Sequence, residues 1–522
     1  MHRIRATFSV HDASKPVREG TPVTSTVDRP AVPARRQGLV LACLSVCTAL
    51  VVGFVAAINL AVPQLAASSL HPSADQLLWI VDAYVVVFAC LVIPAGAAGD
   101  KFGRKGALLT GLAVVALGAL VSAAAPNVPL MLLGRALTGL GAACVLPNCV
   151  GVLLHATAPE RRGHALAVWA AATGVGGVVG NIGGGTLLSR GSWHTLFVAV
   201  AVVAAACLAW AAAVAPRSAR HARRIDVPGT ALFVAAVVAL LLGIIEGPEK
   251  GWSSVPVVTA FAACLLLGVV WVLLELRTRH PMLDPRLFRD PRLAGAALGM
   301  TVAFFGSFGL FYVNASLLQY GRGWSVLRAG VGIIPVTIPL LLGSRHVPAL
   351  VRRFGVPATL TAAFALTSAG LAGLAGLSLT TDLAYPWYGA CLFVVGLGIM
   401  LAVPTLTAEI AAGLPLERAG IAGGLQSATR ELGSALGVAV VGTILTASFT
   451  HHLPSRPGGH GPAPHTVSEA LEATPGAHSA IVTAFTHGGD TALRAAALIT
   501  LVAGALVVGG LTRAHRRART AS

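Results

Sequence analysis

Apolar runs of about 20 residues follow one another along almost the whole chain, each long enough to cross a bilayer core of about 30 Å as a helix. No other feature constrains the fold so strongly. A chain of 522 residues would ordinarily suggest several soluble domains. Here 55% of residues are hydrophobic and 11% are charged, against roughly 25% charged in a soluble globular protein. The chain reads as an all-α polytopic membrane protein.

Fourteen spans are predicted, at 38–62, 77–99, 106–125, 128–154, 163–188, 194–214, 228–246, 254–276, 293–318, 327–350, 356–378, 386–411, 420–447 and 489–511. The fourth and fifth return as the twelfth and thirteenth at a constant offset of 257 residues. Gly139-Leu140-Gly141 with Pro147 becomes Gly396-Leu397-Gly398 with Pro404. Glu160-Arg161-Arg162-Gly163 becomes Glu417-Arg418-Ala419-Gly420, and Gly176, Gly180 and Gly185 become Gly433, Gly437 and Gly442. Two related halves are therefore expected, with two helices inserted between them. The predicted organisation is a cytoplasmic tail 1–37, a six-helix bundle 38–214, the extra pair 228–276, a second six-helix bundle 293–511 with an external loop 449–488, and a basic tail 512–522.

Basic residues set the orientation. With the N-terminus inside, 28 of the 37 Lys and Arg fall in cytoplasmic segments, an asymmetry that places both termini in the cytoplasm. The net charge of +17 is dispersed among short loops facing anionic lipid rather than gathered for nucleic acid. All eight cysteines lie in predicted spans, without zinc-like spacing, and read as small packing residues. The polar residues 1–37 read as a disordered tail. No cleavable signal is evident, since the first apolar run is long enough to remain as an anchor.

Polar residues inside these spans are the candidates for function. Asn59 ends span 1 and either bonds a neighbouring helix or touches substrate. Asp82 lies about 8 Å inside the outer end of span 2, where a charge is tolerable when paired or protonated. Arg135, in span 4, is expected at similar depth and close enough for an ion pair. Gln426, Arg430 and Glu431 lie deep in span 13. Adjacent helical residues diverge by about 100°, so Arg430 and Glu431 are not expected to neutralise each other face to face. Glu246 and Glu275, near the ends of spans 7 and 8, are expected to be solvated. Six histidines in the external loop (His451, His452, His460, His465, His478, His487) suit a flexible solvated loop, with metal binding or pH sensing as alternatives.

Span 2 runs into Gly96-Ala97-Ala98-Gly99-Asp100-Lys101-Phe102-Gly103-Arg104-Lys105, which resembles the cytoplasmic signature between spans 2 and 3 of the major facilitator superfamily. The resemblance covers most of residues 38–511. Arg135-Ala136-Leu137-Thr138-Gly139-Leu140-Gly141 resembles the superfamily's span-4 motif, with Thr138 where a Gln is usual. Gly176-Gly177-Val178-Val179-Gly180-Asn181-Ile182-Gly183-Gly184-Gly185 resembles the antiporter motif of drug:proton exporters, with Asn181 in place of the usual Pro. With fourteen spans, the chain looks like the fourteen-span drug:proton antiporter branch. The family commonly carries an acid in span 1, five residues before the position of Asn59, and this chain has Phe54 there.

The resemblance implies a secondary active transporter, not an enzyme, expelling hydrophobic or cationic drugs against protons across the cell membrane. Proton coupling is expected at Asp82, Arg135 and Glu431, substrate contact at Asn59, Gln426 and Arg430, and a cytoplasmic gate at Gly96, Asp100, Gly103 and Arg104. Gly176, Gly180, Gly184 and Gly185 carry the antiporter motif. No cofactor or metal is expected, and the partners are a small-molecule substrate, protons and the bilayer, with function as a monomer. No Gly-Lys-Ser/Thr loop occurs, which argues against an ATP-driven pump. A transporter of one metabolite, or a non-transporting receptor or scaffold, are the alternatives.

Overall fold

A computed structural model describes residues 34–521 apart from 67, 73, 218–225, 279–280, 282, 325, 379–384, 416–418, 454–466, 468–469 and 471–473. The described residues hold fourteen segments long and apolar enough to cross a membrane, and no strand. Spans 1 to 9 are α1 (Ala34–Ala66), α2 (Ala74–Phe102), α3 (Arg104–Ala123), α4 (Val128–Ala156), α5 (Arg162–Arg190), α6 (Trp193–Val214), α7 (Val227–Lys250), α8 (Val255–Arg277) and α9 (Pro291–Ser316). Span 10 is three pieces, α10 (Val326–Val331), α11 (Ile334–Gly343) and α12 (Val347–Phe354). Spans 11 to 14 are α13 (Val356–Ser378), α14 (Tyr385–Ala412), α15 (Ala419–His452) and α16 (His478–Ala521).

Two six-helix halves are separated in sequence by α7 and α8. In the first half α4 packs on α3 and α2, and α1 on α5 and α6. In the second, α14 packs on α13, α11 and α9, while α15 packs on α9 and α16. The halves meet where α15 lies along α2 and α4, and where α14 and α11 reach α5. Helix α7 touches α2 and α15, whereas α8 packs mainly on α7 and turns Leu265, Leu266, Val269 and Leu273 outward. Only 6% of the apolar window of α8 is buried, against 83% for α4, so α4 is interior and α8 faces lipid.

The sequence echo is also an echo in space. Gly176, Gly180 and Gly184 of α5 bring its backbone against Ala49, Gly53 and Ala57 of α1. A Cβ on Gly176 would stand 2.8 Å from Ala49 Cα, and one on Gly180 would meet the Gly53 carbonyl. In the second half Gly433 and Gly437 of α15 press on the Thr301 and Phe305 carbonyls of α9. Likewise Gly139 of α4 meets Tyr84 of α2, and Gly396 of α14 meets Val336 of α11. Small residues at these crossings allow the close backbone contact on which helix packing in lipid relies. Gly185 is off this face, its nearest neighbour being Leu60 at an ordinary 3.7 Å.

Three departures from the sequence reading have physical causes. Span 10 is broken rather than continuous, because Pro335, Pro339 and Pro348 each remove a backbone donor within it. Five residues of π-helix, Leu317–Gly321, extend span 9. The expected external loop 449–488 is largely helix at its ends: α15 runs to His452 and α16 starts at His478. His451, His452, His478 and His487 are therefore helical, and His460 and His465 lie outside the described residues.

Candidate functional site

Helix α4 places Arg135 in the interior with no exposed surface. Its Nε donates to the Ile80 carbonyl at 2.7 Å and its Nη2 to the Val81 carbonyl at 3.1 Å, both on α2. The remaining Nη1 has no hydrogen-bond partner. Two rings flank the guanidinium, with centroids 5.0 Å from its central carbon: Phe54 of α1 and Tyr84 of α2. The cation is thus held by carbonyl dipoles and ring faces. Asp82 follows Val81 directly and interacts with Arg135 electrostatically, but no ion pair within 4.0 Å forms between them. The expected pair is corrected: the guanidinium is drawn to the carbonyls one and two residues before the carboxylate, which remains half-buried.

The cluster continues across the junction of the halves. Tyr84 and Phe88, four residues apart on α2, stack with centroids 6.1 Å apart and planes inclined by 8°. Arg430 of α15 stands 5.8 Å from Phe88 and 6.0 Å from Phe304. Its Nη2 and Nε both donate to Glu431 Oε1, at 2.7 and 3.1 Å. This overturns the expectation that adjacent residues could not pair, because the long arginine stem curls back to its neighbour although their Cβ atoms diverge. One row of side chains, Arg135–Tyr84–Phe88–Arg430, joins two membrane-buried cations from opposite halves. Gln426, one turn before Arg430, donates to Thr407 of α14 at 3.0 Å. Asn59 stands apart from this group, exposed and donating to the Val55 carbonyl of its own helix at 3.1 Å.

At one end of the bundle the α2–α3 turn holds Asp100 and Arg104, both buried. Gly103 makes the turn at φ 110°, a region that glycine enters freely. Gly355 does the same at φ 83° in the matching turn of the second half. Arg104 Nε donates to Asp100 Oδ1 at 2.8 Å and its Nη1 to the Gly151 carbonyl at 3.2 Å. The other carboxylate oxygen of Asp100 accepts from the Ile421 amide of α15 at 3.2 Å, where the helix N-terminus favours an anion. Beside it Gly424 fits against Ile93, and Gly423 against Pro147. Asp100, held by Arg104 at the turn that Gly103 makes, thus ties the first half to the second at this face, while Gly96 lies earlier on α2.

Other acids differ from expectation. Glu275 is 1% exposed and lies against the start of α7 near Gly229, rather than in solvent, whereas Glu246 pairs with Lys250 at 3.1 Å. Sequence reasoning assigned no role to Tyr84 or Phe88, although their spacing of four puts both on one face of α2. It also passed over Asp490, which is 2% exposed in α16.

Comparison with known proteins fits this geometry. The family profile described as Major Facilitator Superfamily matches residues 44–438. A methylenomycin A resistance protein of Streptomyces coelicolor is 31% identical over 412 residues, covering 77% of this chain and 86% of that protein. The multidrug resistance protein Stp of Mycobacterium tuberculosis is 32% identical over 398 residues, covering 75% and 72%. Among solved structures, the human organic anion transporter MFSD10 (TETRAN) superposes with a TM-score of 0.60 at 16% identity, covering 90% of this chain and 99% of that one, which is a likeness of fold.

Proposed function

The chain belongs to the major facilitator superfamily, and we propose that it works as a proton-coupled exporter of hydrophobic or cationic compounds, antibiotics among them. The observation that carries this reading is the row Arg135–Tyr84–Phe88–Arg430 at the junction of the halves. Buried charges inside a membrane protein mark substrate and ion paths, and alternating access turns two bundles about a site between them. The names of the relatives, one resisting methylenomycin A and one multidrug, support export of drugs.

In this reading Asp82, Arg135 and Glu431 carry the proton coupling, while Gln426 and Arg430, with Asn59 at the periphery, meet the substrate. Asp100, Gly103 and Arg104, preceded by Gly96, form the cytoplasmic gate. Gly176, Gly180 and Gly184, with Gly185 beside them, let α5 move closely against α1. The positive balance of the loops orients the chain with both termini in the cytoplasm. Residues 38–214 and 293–511 act as the two moving bundles, and 228–276 as a lipid-facing addition. The protein performs transport rather than catalysis, as a monomer in the cell membrane, with no nucleic-acid partner.

The test uses everted membrane vesicles. An imposed pH gradient, acid inside, should drive concentrative uptake of a fluorescent lipophilic cation such as ethidium. Uptake should collapse with an uncoupler and be absent from vesicles lacking the protein. Equal uptake in both preparations would overturn the reading.

A further inference from the structure

The second half buries a carboxyl group that the central row does not use. Asp490 lies about 18 Å along α16 from its start and is 2% exposed. Neither of its oxygens has a hydrogen-bond partner. Buried polar groups are nearly always bonded, so this one calls for an explanation. The backbone around it is fixed: a Cβ on Gly489 would stand 2.6 Å from Leu317 of the π-helical turn, and one on Gly488 2.8 Å from the Leu445 carbonyl of α15. The stretch of α16 that carries the carboxyl group is thus packed closely against its neighbours on both sides.

Its ionisable surroundings are few. On α16 itself, Arg494 is one turn on and exposed, and His487 lies one turn before. From α14, Tyr388 interacts with Asp490 electrostatically and donates its hydroxyl to Asn314 Oδ1 of α9 at 2.8 Å. The π-helical turn carries Tyr320, whose ring packs on Phe485 of α16 at 5.6 Å, and Arg322, which follows the turn, stands 5.5 Å from the Tyr388 ring; π-helical turns often accompany functional sites. Helix α13 has no ionisable side chain. Helix α9 offers Arg292, at its far end, and Tyr312, which lies beside Gly442 of α15. Helix α15 offers Arg430 and Glu431, paired to each other, and His451 and His452 at its outer end. His452 and His487 are exposed and stack 5.4 Å apart, lining an outer groove of about 380 Å³ with Ser479 and Thr483. Of the two, His487 stands one turn from the buried acid on the same helix.

We propose that Asp490 is a proton-binding site of the second half, loaded from the outer groove. A hydronium ion gives its proton to a carboxylate oxygen, leaving water and a neutral carboxyl group; unloading returns the proton to water. A metal cation would need several converging oxygen ligands, and Arg494, one turn on, opposes one, whereas a proton needs a single oxygen. Proton binding follows from the geometry of this site alone, and its contribution to coupling rests on the exporter reading.

Dicyclohexylcarbodiimide, an apolar reagent that adds to carboxyl groups in their protonated form, tests the site directly. The purified full-length protein should gain the adduct at Asp490, with a yield that rises as pH is lowered, and Asp490→Asn should lose that adduct. Absence of an Asp490 adduct at pH values where the protein stays folded overturns the proposal. In vesicles Asp490→Asn should lose pH-driven efflux and Asp490→Glu should retain it, with inserted protein measured for both. An adduct together with unimpaired efflux by Asp490→Asn overturns the coupling role. If the wild-type protein moves no drug, the exporter reading falls while the adduct still decides the proton site.

Discussion

The guanidinium of Arg135 lies against the ring of Phe54, 5.0 Å from its centroid, at the position where related exporters commonly carry an acid. The same ring packs edge-on against Phe197 at 5.6 Å. Phe54→Leu keeps most of the apolar volume and removes the quadrupole, so it should lower stability by about 1–2 kcal/mol. Thermal unfolding of the purified protein in detergent measures this. An unchanged midpoint would mean that the ring contributes only volume.

Contact between α1 and α5 predicts a position-specific pattern. Gly180 has the Gly53 carbonyl where a Cβ would go, whereas Gly183, three residues on, has nothing within 4 Å. Gly180→Leu should abolish transport with normal membrane insertion, and Gly183→Leu should transport as the wild type does. Similar efflux from the two variants, at equal amounts of inserted protein, would show that the close contact is not needed.

At the α2–α3 turn, Asp100 accepts from both Arg104 and the Ile421 amide. Asp100→Asn keeps an acceptor but replaces charge-assisted bonds by neutral ones, a loss of about 1–2 kcal/mol. That shifts the balance between gate-closed and gate-open states by roughly tenfold. Turnover should fall while equilibrium binding of substrate changes little. A large loss of binding with normal turnover would move Asp100 from the gate to the substrate site.

Much of the fold was legible because bilayer thickness fixes the length of an apolar run, and most predicted span ends fall within about four residues of the helices found. The two halves were legible because the glycines at 176 and 180, and their counterparts at 433 and 437, are required by the same backbone crossings. Side-chain partners were not legible. Depth alone put Asp82 near Arg135, but whether a guanidinium meets a carboxylate or a carbonyl depends on the rotation of two helices. The pairing of Arg430 with Glu431 depended on a rotamer. Asp490 was missed because hydropathy starts span 14 at residue 489, while α16 begins at His478.

The coupling role of Asp82 gives the most decisive variant. Its carboxylate lies next to the Val81 carbonyl that receives Arg135, without bonding to the guanidinium. Protonating Asp82 therefore changes the field around Arg135 but breaks no ion pair. The work available is an electrostatic difference between two conformations, and a ligand shifts such a balance only by its unequal affinity for them. If one conformation brings the carboxylate to the unpartnered Nη1 of Arg135, the ionised form favours that conformation and the protonated form releases it. Asp82→Asn mimics the protonated state permanently. It should lose accumulation of substrate against a gradient driven by ΔpH, while substrate exchange down a gradient continues. Arg135→Lys, which keeps the charge but cannot span both carbonyls, should impair both activities, because Ile80 and Val81 lose the donor that ties α4 to α2. Reconstituted proteoliposomes with a set internal and external pH separate the two modes. Uphill accumulation by Asp82→Asn at the wild-type rate would remove Asp82 from the coupling mechanism and leave Glu431 and Asp490 as the coupling candidates to examine.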